Sequence, residues 1–173
     1  APNVREVILA AASAAREQSL IDAPRQDYAM THSWLFTGPP GSGRSQAALA
    51  FAAALVCTDP NEVGCGRCKG CLDALAGQHT DIVHVVPKEL IIKTEYIREI
   101  VAQAARMPTV APYRVLIIEN ADRLHPAAAD ALLKTVEEPP ERTVIIMCAP
   151  STDPQDFSPV SYTHLTLPTT PYV

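Results

Sequence analysis

The sequence has no excess of positive charge and no long run of apolar residues. Its 173 residues include 14 Lys and Arg against 19 Asp and Glu, which gives a formal net charge of −5. A protein that binds nucleic acid by itself usually carries a basic surface, so this composition argues against a stand-alone nucleic-acid-binding protein. No segment has the roughly 20 consecutive apolar residues that cross a bilayer, so a transmembrane helix is not predicted. None of the five histidines shows the spacing of a metal site or a catalytic triad.

A glycine-rich loop at residues 38–45, GPPGSGRS, has the form of a P-loop. In such a loop, backbone N–H groups converge on phosphate oxygens between a strand and the N-terminus of a helix. The apolar run at 33–37 predicts that strand, and the Ala- and Leu-rich segment at 46–56 predicts the helix. The alternative is a Gly- and Pro-rich turn between two core elements. The two flanks favour the phosphate-binding loop.

The predicted phosphate-binding residues are Gly38, Gly41, Gly43, Arg44 and Ser45. Arg44 stands where the P-loop pattern has lysine. Because a guanidinium is planar and bulkier than an ammonium, the exchange keeps the charge but changes the fit to the β- and γ-phosphates. We therefore expect rapid nucleotide turnover to be lost, and we leave ATP and Mg²⁺ binding open.

A second apolar run ends where a Walker B motif would follow it. Residues 115–118, VLII, predict a buried parallel strand, and Glu119 and Asn120 come directly after it. In an active site of this type an aspartate supports Mg²⁺ and the next residue, a glutamate, activates the attacking water. Glu119 is one methylene longer than aspartate, and the Asn120 amide cannot accept a proton. We predict a degenerate Walker B pair and no catalytic residue; the alternative is a buried strand that happens to end in an acid.

Four of the cysteines lie close together, with seven, two and two residues between them. Four thiolates at this density can close a tetrahedral zinc site of the structural type. Disulfides or free thiols are the alternative, but the sequence shows no signal peptide, so we expect a reducing environment and favour zinc. A zinc finger that contacts nucleic acid is disfavoured because the loop offers only Arg67 and Lys69 as cations. The predicted ligands are Cys57, Cys65, Cys68 and Cys71.

In order and spacing, these motifs resemble the family of delta-prime subunits of the bacterial DNA polymerase III clamp loader, within the AAA+ P-loop superfamily. The most specific segment is 130–140, DALLKTVEEPP, whose pattern is similar to one that the related gamma/tau motor subunits share. Those motors are expected to keep lysine in the P-loop and Asp-Glu in Walker B, so Arg44, Glu119 and Asn120 favour the delta-prime type. The resemblance covers about residues 7–154.

The resemblance implies an inert, ATPase-like subunit of the DNA polymerase III holoenzyme. Such a subunit assists loading of the sliding clamp onto DNA during replication without hydrolysing ATP itself. The implied partners are the gamma/tau and delta subunits and, through the assembly, the sliding clamp and primer-template DNA. The implied location is the cytoplasm, at the nucleoid-associated replisome. Two alternatives stay open: an active gamma/tau-like ATPase motor, and a zinc-dependent docking module on an inactive P-loop scaffold.

The predicted fold class is α/β, a P-loop AAA+ parallel sheet with flanking helices and a small four-cysteine zinc insertion. Further strands are predicted at 82–86, 114–118 and 143–148, alternating with helices at 94–106 and 126–136. The AAA+ domain is expected to span residues 1–156, with the zinc module inserted at 57–71. The Thr- and Pro-rich residues 157–173 are expected to be a non-native or disordered tail. Since the sequence does not begin with Met, we expect an internal fragment that lacks the family's lid and collar domains.

Overall fold

A computed structural model describes residues 3–20 and 32–150 and shows an α/β fold, as predicted. In this part of the chain, helices and strands alternate around one four-stranded sheet. The elements are, in order, α1 (Val4–Leu20), β1 (Ser33–Thr37), α2 (Arg44–Leu55), α3 (Lys69–Leu75), β2 (Ile82–Val85), α4 (Thr94–Ala104), β3 (Arg114–Ile118), a 3-10 turn (Ala121–Arg123), α5 (Pro126–Glu137) and β4 (Thr143–Ala149). The predicted tail at 157–173 lies outside the described residues.

The strands run parallel in the order β1-β4-β3-β2. Their carboxyl ends lie at one edge of the sheet, since Thr37 pairs with Ala149 and Ile118 pairs with Met147. Ligand sites of open parallel sheets form at this edge. The order of the strands therefore brings the loops after β1, β2 and β3 to the same place.

The sheet is covered on both faces, which explains why its central strands, β3 and β4, are nearly continuous apolar runs. Because successive side chains of a strand point to opposite faces, Val115 and Ile117 of β3 pack with α1 and α2, whereas Leu116 and Ile118 pack with α4 and α5. All four side chains are fully buried. Within residues 3–20 and 32–150, no helix is long and apolar enough to cross a membrane.

All four predicted strands occur, each within one residue of its expected end. The predicted helix at 46–56 begins two residues earlier, because Gly43, with a φ of 88°, forms its N-cap. The predicted helix at 94–106 ends at Ala104. Helices α1 and α3 were not predicted from the sequence.

A buried carboxylate joins the start of β2 to the loop between α4 and β3. Asp81 is fully buried. Its Oδ1 accepts hydrogen bonds from the backbone N (2.7 Å) and Oγ1 (3.0 Å) of Thr109, and its Oδ2 accepts from the backbone N of Val110 and Ala111, both at 2.8 Å. Arg114 Nη1 lies 3.6 Å from Oδ1. Burial alone would raise the pKa of Asp81, but the backbone N–H groups of Ala111, Thr109 and Val110 outweigh it and lower the pKa.

Candidate functional site

The glycine-rich loop leaves β1 and turns directly into α2. Gly41 and Gly43 have φ values of 84° and 88°, a left-handed conformation that glycine adopts without strain. A Cβ at Gly38 would overlap the Ser42 side chain. The N–H of Gly38 donates to the carbonyl of Ala149, at 3.2 Å, so the loop is fastened to the end of β4. These glycines therefore let the loop turn directly from the end of β1 into the N-terminus of α2.

Arg44 connects the loop to the residues that follow β3. Its guanidinium donates one hydrogen bond to the carbonyl of Gly38 and another, at 3.1 Å, to Oδ1 of Asn120. Asn120 has a φ of 50° and a ψ of 51°, a left-handed conformation in which asparagine is enriched. The cation predicted to meet phosphate is thus held by the loop's own backbone and by the amide at the predicted second Walker B position.

Ser45 and Glu119 also meet across the carboxyl edge of the sheet. Ser45 Oγ donates to Oε2 of Glu119 at 2.5 Å, and the other carboxylate oxygen, Oε1, lies 3.0 Å from Nε2 of His84. The Glu119 side chain is 12% exposed and that of His84 is 27% exposed. Both Glu119 oxygens are therefore engaged by neighbouring side chains.

The donor set at this edge matches the needs of a bound nucleotide in part. N–H groups at a helix N-terminus and a guanidinium suit phosphate oxygens, and a hydroxyl beside a carboxylate suits Mg²⁺. Asn120, at the predicted second Walker B position, carries an amide that cannot take a proton. Beneath the site, burial raises the pKa of Cys148 to about 12, and the Glu119 carboxylate adds to this rise while Arg44 opposes it.

The predicted metal ligands also converge. The Sγ atoms of Cys57, Cys65, Cys68 and Cys71 all lie within 4.8 Å of one another. Cys57 Sγ is 3.8 Å from the sulfur of Cys65 and 3.8 Å from that of Cys68. Four sulfurs at about 2.3 Å from a tetrahedral Zn²⁺ would be about 3.8 Å apart. The four-cysteine cluster could therefore hold a metal ion.

Backbone N–H groups aimed at the sulfurs favour thiolates in this cluster. Cys68 N donates to Cys65 Sγ at 3.3 Å, and the N–H groups of Cys71 and Thr58 both donate to Cys68 Sγ at 3.4 Å. Burial tends to raise the pKa of Cys68, but hydrogen bonds from Thr58 and Cys71 lower it to about 5. Burial raises the pKa of Cys71, so a metal would have to displace its proton.

Comparison with known proteins places this arrangement in a family. A family model described as "DNA polymerase III, delta subunit" matches residues 16–155. The chain belongs to this family. It is 34% identical over 119 residues to the DNA polymerase III subunit delta′ of Pseudomonas aeruginosa, a match that covers 67% of this chain and 36% of that protein. It is 35% identical over 118 residues to the DNA polymerase III subunit tau of Bacillus subtilis, covering 68% of this chain and 21% of that protein.

A solved structure supports the fold of this DNA polymerase III family member. The crystal structure of a DNA polymerase III gamma subunit-related protein from Thermotoga maritima superposes with a TM-score of 0.55 at 19% identity, covering 82% of this chain and 40% of that one. The predicted delta-prime resemblance is thereby confirmed at the level of the family. The chain spans about a third or less of the length of these curated relatives.

One contact of the candidate site in this member of the DNA polymerase III delta family was not predicted from the sequence. His84 lies near the end of β2 and meets Glu119, 35 residues later. The contact depends on β2 lying beside β3 in the sheet, and no local spacing indicates that order. The alternation of apolar residues with a histidine in β2 was the only available sign.

Proposed function

We propose that this chain is the P-loop domain of a delta-prime-type clamp-loader subunit. In this function it assists loading of the sliding clamp onto primer-template DNA during replication, beside gamma/tau and delta subunits, and does not hydrolyse ATP itself. Membership of the DNA polymerase III delta family supports the proposal that the chain acts in this assembly. The proposed place of action is the cytoplasmic, nucleoid-associated replisome, and the proposed domain comprises residues 1–156.

The pairing of Arg44 with Asn120 is the observation that carries the proposal of an inert site. In an active P-loop enzyme the cation neutralises the transferring phosphate, and an acidic residue positions and deprotonates water. Here the cation donates to the Gly38 carbonyl and to an amide. Turnover would require Arg44 to leave both partners, and it would then face a residue that cannot act as a base.

Nucleotide binding and nucleotide hydrolysis are separable in this site. The N–H groups of the loop from Gly41 to Ser45 would hold the phosphates, and Ser45 with Glu119 would hold Mg²⁺, which supplies charge neutralisation when bound. Because the second Walker B position is Asn120, a bound nucleotide would stabilise the conformation of the loop and would not be hydrolysed. The proposed zinc site, at Cys57, Cys65, Cys68 and Cys71, is structural, since its four ligands leave no open position.

The decisive experiment uses the full-length subunit assembled with gamma/tau and delta. The P-loop lysine of every gamma/tau copy is replaced by alanine, so that this chain carries the one unmodified P-loop, and DNA- and clamp-stimulated ATP hydrolysis is measured. We expect hydrolysis at background level. In the unmodified assembly, omission of this subunit should abolish clamp loading.

An active motor gives the opposite pattern. Hydrolysis above background in the lysine-substituted assembly, abolished by Ser45→Ala in this chain, would overturn the proposal and favour the gamma/tau-like alternative. Clamp loading that proceeds normally without this subunit would contradict the proposed place in the assembly.

A further inference from the structure

An arginine far from the cysteines in sequence holds the backbone of the first proposed zinc ligand. Arg16 lies in α1, 41 residues before Cys57. Its Nη1 donates to the carbonyl of Asp59 at 2.7 Å, and its Nη2 donates to the carbonyl of Cys57 at 3.1 Å. The fork of the guanidinium therefore spans two carbonyls of the same short turn, a geometry that suits arginine and not lysine.

The turn held by Arg16 leads directly to the cysteine cluster. Cys57 follows α2, and its N–H donates to the carbonyl of Ala54 at 3.3 Å, so its peptide is fixed by the helix end on one side and by Arg16 on the other. A cation near the C-terminal carbonyls of a helix is favourable. Beyond it, Asp59 Oδ1 accepts from the N–H groups of Asn61 and Glu62 at 2.9 and 3.1 Å, and the Glu62 carbonyl lies 3.3 Å from Cys57 Sγ.

The same face of α1 also approaches the residue that precedes the second proposed ligand. A Cβ built at Gly64 would lie 3.2 Å from Cδ2 of Leu9, which shows how closely α1 approaches the residue before Cys65. Leu9 and Arg16 are seven residues apart, about two helical turns, and therefore lie on one face. This face of α1 thus touches the chain beside the first ligand and again beside the second.

We propose that Arg16 is a positioning residue of the zinc site, which sets the place of Cys57 Sγ by holding the carbonyls of Cys57 and Asp59. As a consequence, α1 and the metal stabilise each other, although α1 contains no ligand. The inference rests on the proposed zinc site. Residues outside the ligand set that orient a ligand typically change metal affinity by about 10- to 100-fold.

The test measures Zn²⁺ affinity of the full chain by competition with a chromophoric chelator, and it uses Co²⁺ to record the absorption of a tetrahedral tetrathiolate. Arg16→Leu removes both donors but keeps much of the apolar stem. Arg5→Leu is the matched control, because Arg5 is exposed on the same helix. We expect Arg16→Leu to weaken Zn²⁺ binding at least tenfold, or about 1.4 kcal/mol, with Arg5→Leu unchanged and Arg16→Lys between them.

The Zn²⁺ affinity distinguishes a residue that positions Cys57 from one that only stabilises the fold. Replacing a residue that only stabilises the fold would lower the stability of the metal-free and the metal-bound chain by the same amount and would leave the affinity unchanged. An affinity of Arg16→Leu within twofold of the wild type would overturn the inference while leaving the zinc site intact. If Arg16→Leu does not fold with Zn²⁺ present, Arg16→Lys decides by the same twofold criterion. A wild-type chain that gives no tetrathiolate Co²⁺ spectrum would overturn both the zinc site and the role of Arg16.

Discussion

Replacing Asp81 by asparagine should be among the most damaging single-atom changes available in this domain. In Asp81→Asn one carboxylate oxygen becomes an NH₂ group. This group faces backbone N–H donors and cannot accept their hydrogen bonds. If the NH₂ takes the place of Oδ2, the N–H groups of Val110 and Ala111 both lose their acceptor, and that of Ala111 is buried. Each unsatisfied buried donor costs about 1 to 3 kcal/mol. Arg114 also loses a negative partner, so we expect a loss of about 2 to 4 kcal/mol at pH 7.

The effect should depend on pH in a defined direction. The folded pKa of Asp81 is lowered, while the unfolded value is about 3.9. A group of this kind stabilises the fold fully above the unfolded pKa and loses that contribution as pH falls through the folded pKa. The difference in unfolding free energy between wild type and Asp81→Asn should therefore be constant near neutral pH and shrink below about pH 4.

Urea unfolding at fixed free Zn²⁺ measures this difference, with equal m-values required of both proteins. Asp73→Asn is the matched control. Asp73 is partly exposed and pairs with Lys69 at 2.7 Å along α3, so its replacement should cost no more than about 0.5 kcal/mol. A loss below about 1 kcal/mol for Asp81→Asn, or a loss of the same size at pH 7 and pH 3, would refute this reasoning.

Two further predictions concern glycine and cysteine positions. A Cβ at Gly70 would overlap the carbonyl oxygen of Val56, so Gly70→Ala should push α3 away from the end of α2 and destabilise the chain by about 1 to 3 kcal/mol in thermal unfolding; an unchanged Tm would contradict this close approach. Cys148 is fully buried with its pKa raised to about 12, so mass spectrometry should find it unmodified by iodoacetamide at pH 8 until urea unfolds the chain. Labelling of Cys148 in the folded protein at the rate of an exposed thiol would show that this interior is open.

Three of the strands could be predicted from the sequence because they are buried on both faces. Residues 115–118 are all apolar for that reason, and the same logic located β1 and β4. Strand β2 was located from its apolar residues, although it is only partly buried. Helix α3 could not be predicted in this way, since it has only seven residues and its N-cap is Cys68, whose sulfur accepts from Cys71 N. Helix α1 did carry a usable pattern: its buried residues Ile8, Ala11, Ala12 and Ala15 follow the i, i+3, i+4, i+7 spacing of an amphipathic helix.

The two segments that meet at the carboxyl edge of the sheet could be singled out from the sequence because each motif is local. Residues 38–45 and the pair Glu119-Asn120 are each recognisable within a few positions, and the parallel sheet then brings them together. Contacts that depend on which strands are neighbours in the sheet could not be predicted from the sequence. His84 meets Glu119 because β2 pairs with β3, and Asp81 meets Thr109 across a separation of 28 residues.

The glycines of the predicted phosphate-binding loop have a consequence for how a subunit of the proposed type can arise after gene duplication. The path of the loop depends on Gly38, Gly41, Gly43 and the hydrogen bond to Ala149, whereas hydrolysis would depend on the side chains at 44, 119 and 120. Selection on the path of the loop and selection on hydrolysis would therefore act on different codons. For a subunit of the type proposed above, a duplicated copy could lose the side chains needed for hydrolysis while the path of its loop stayed under selection.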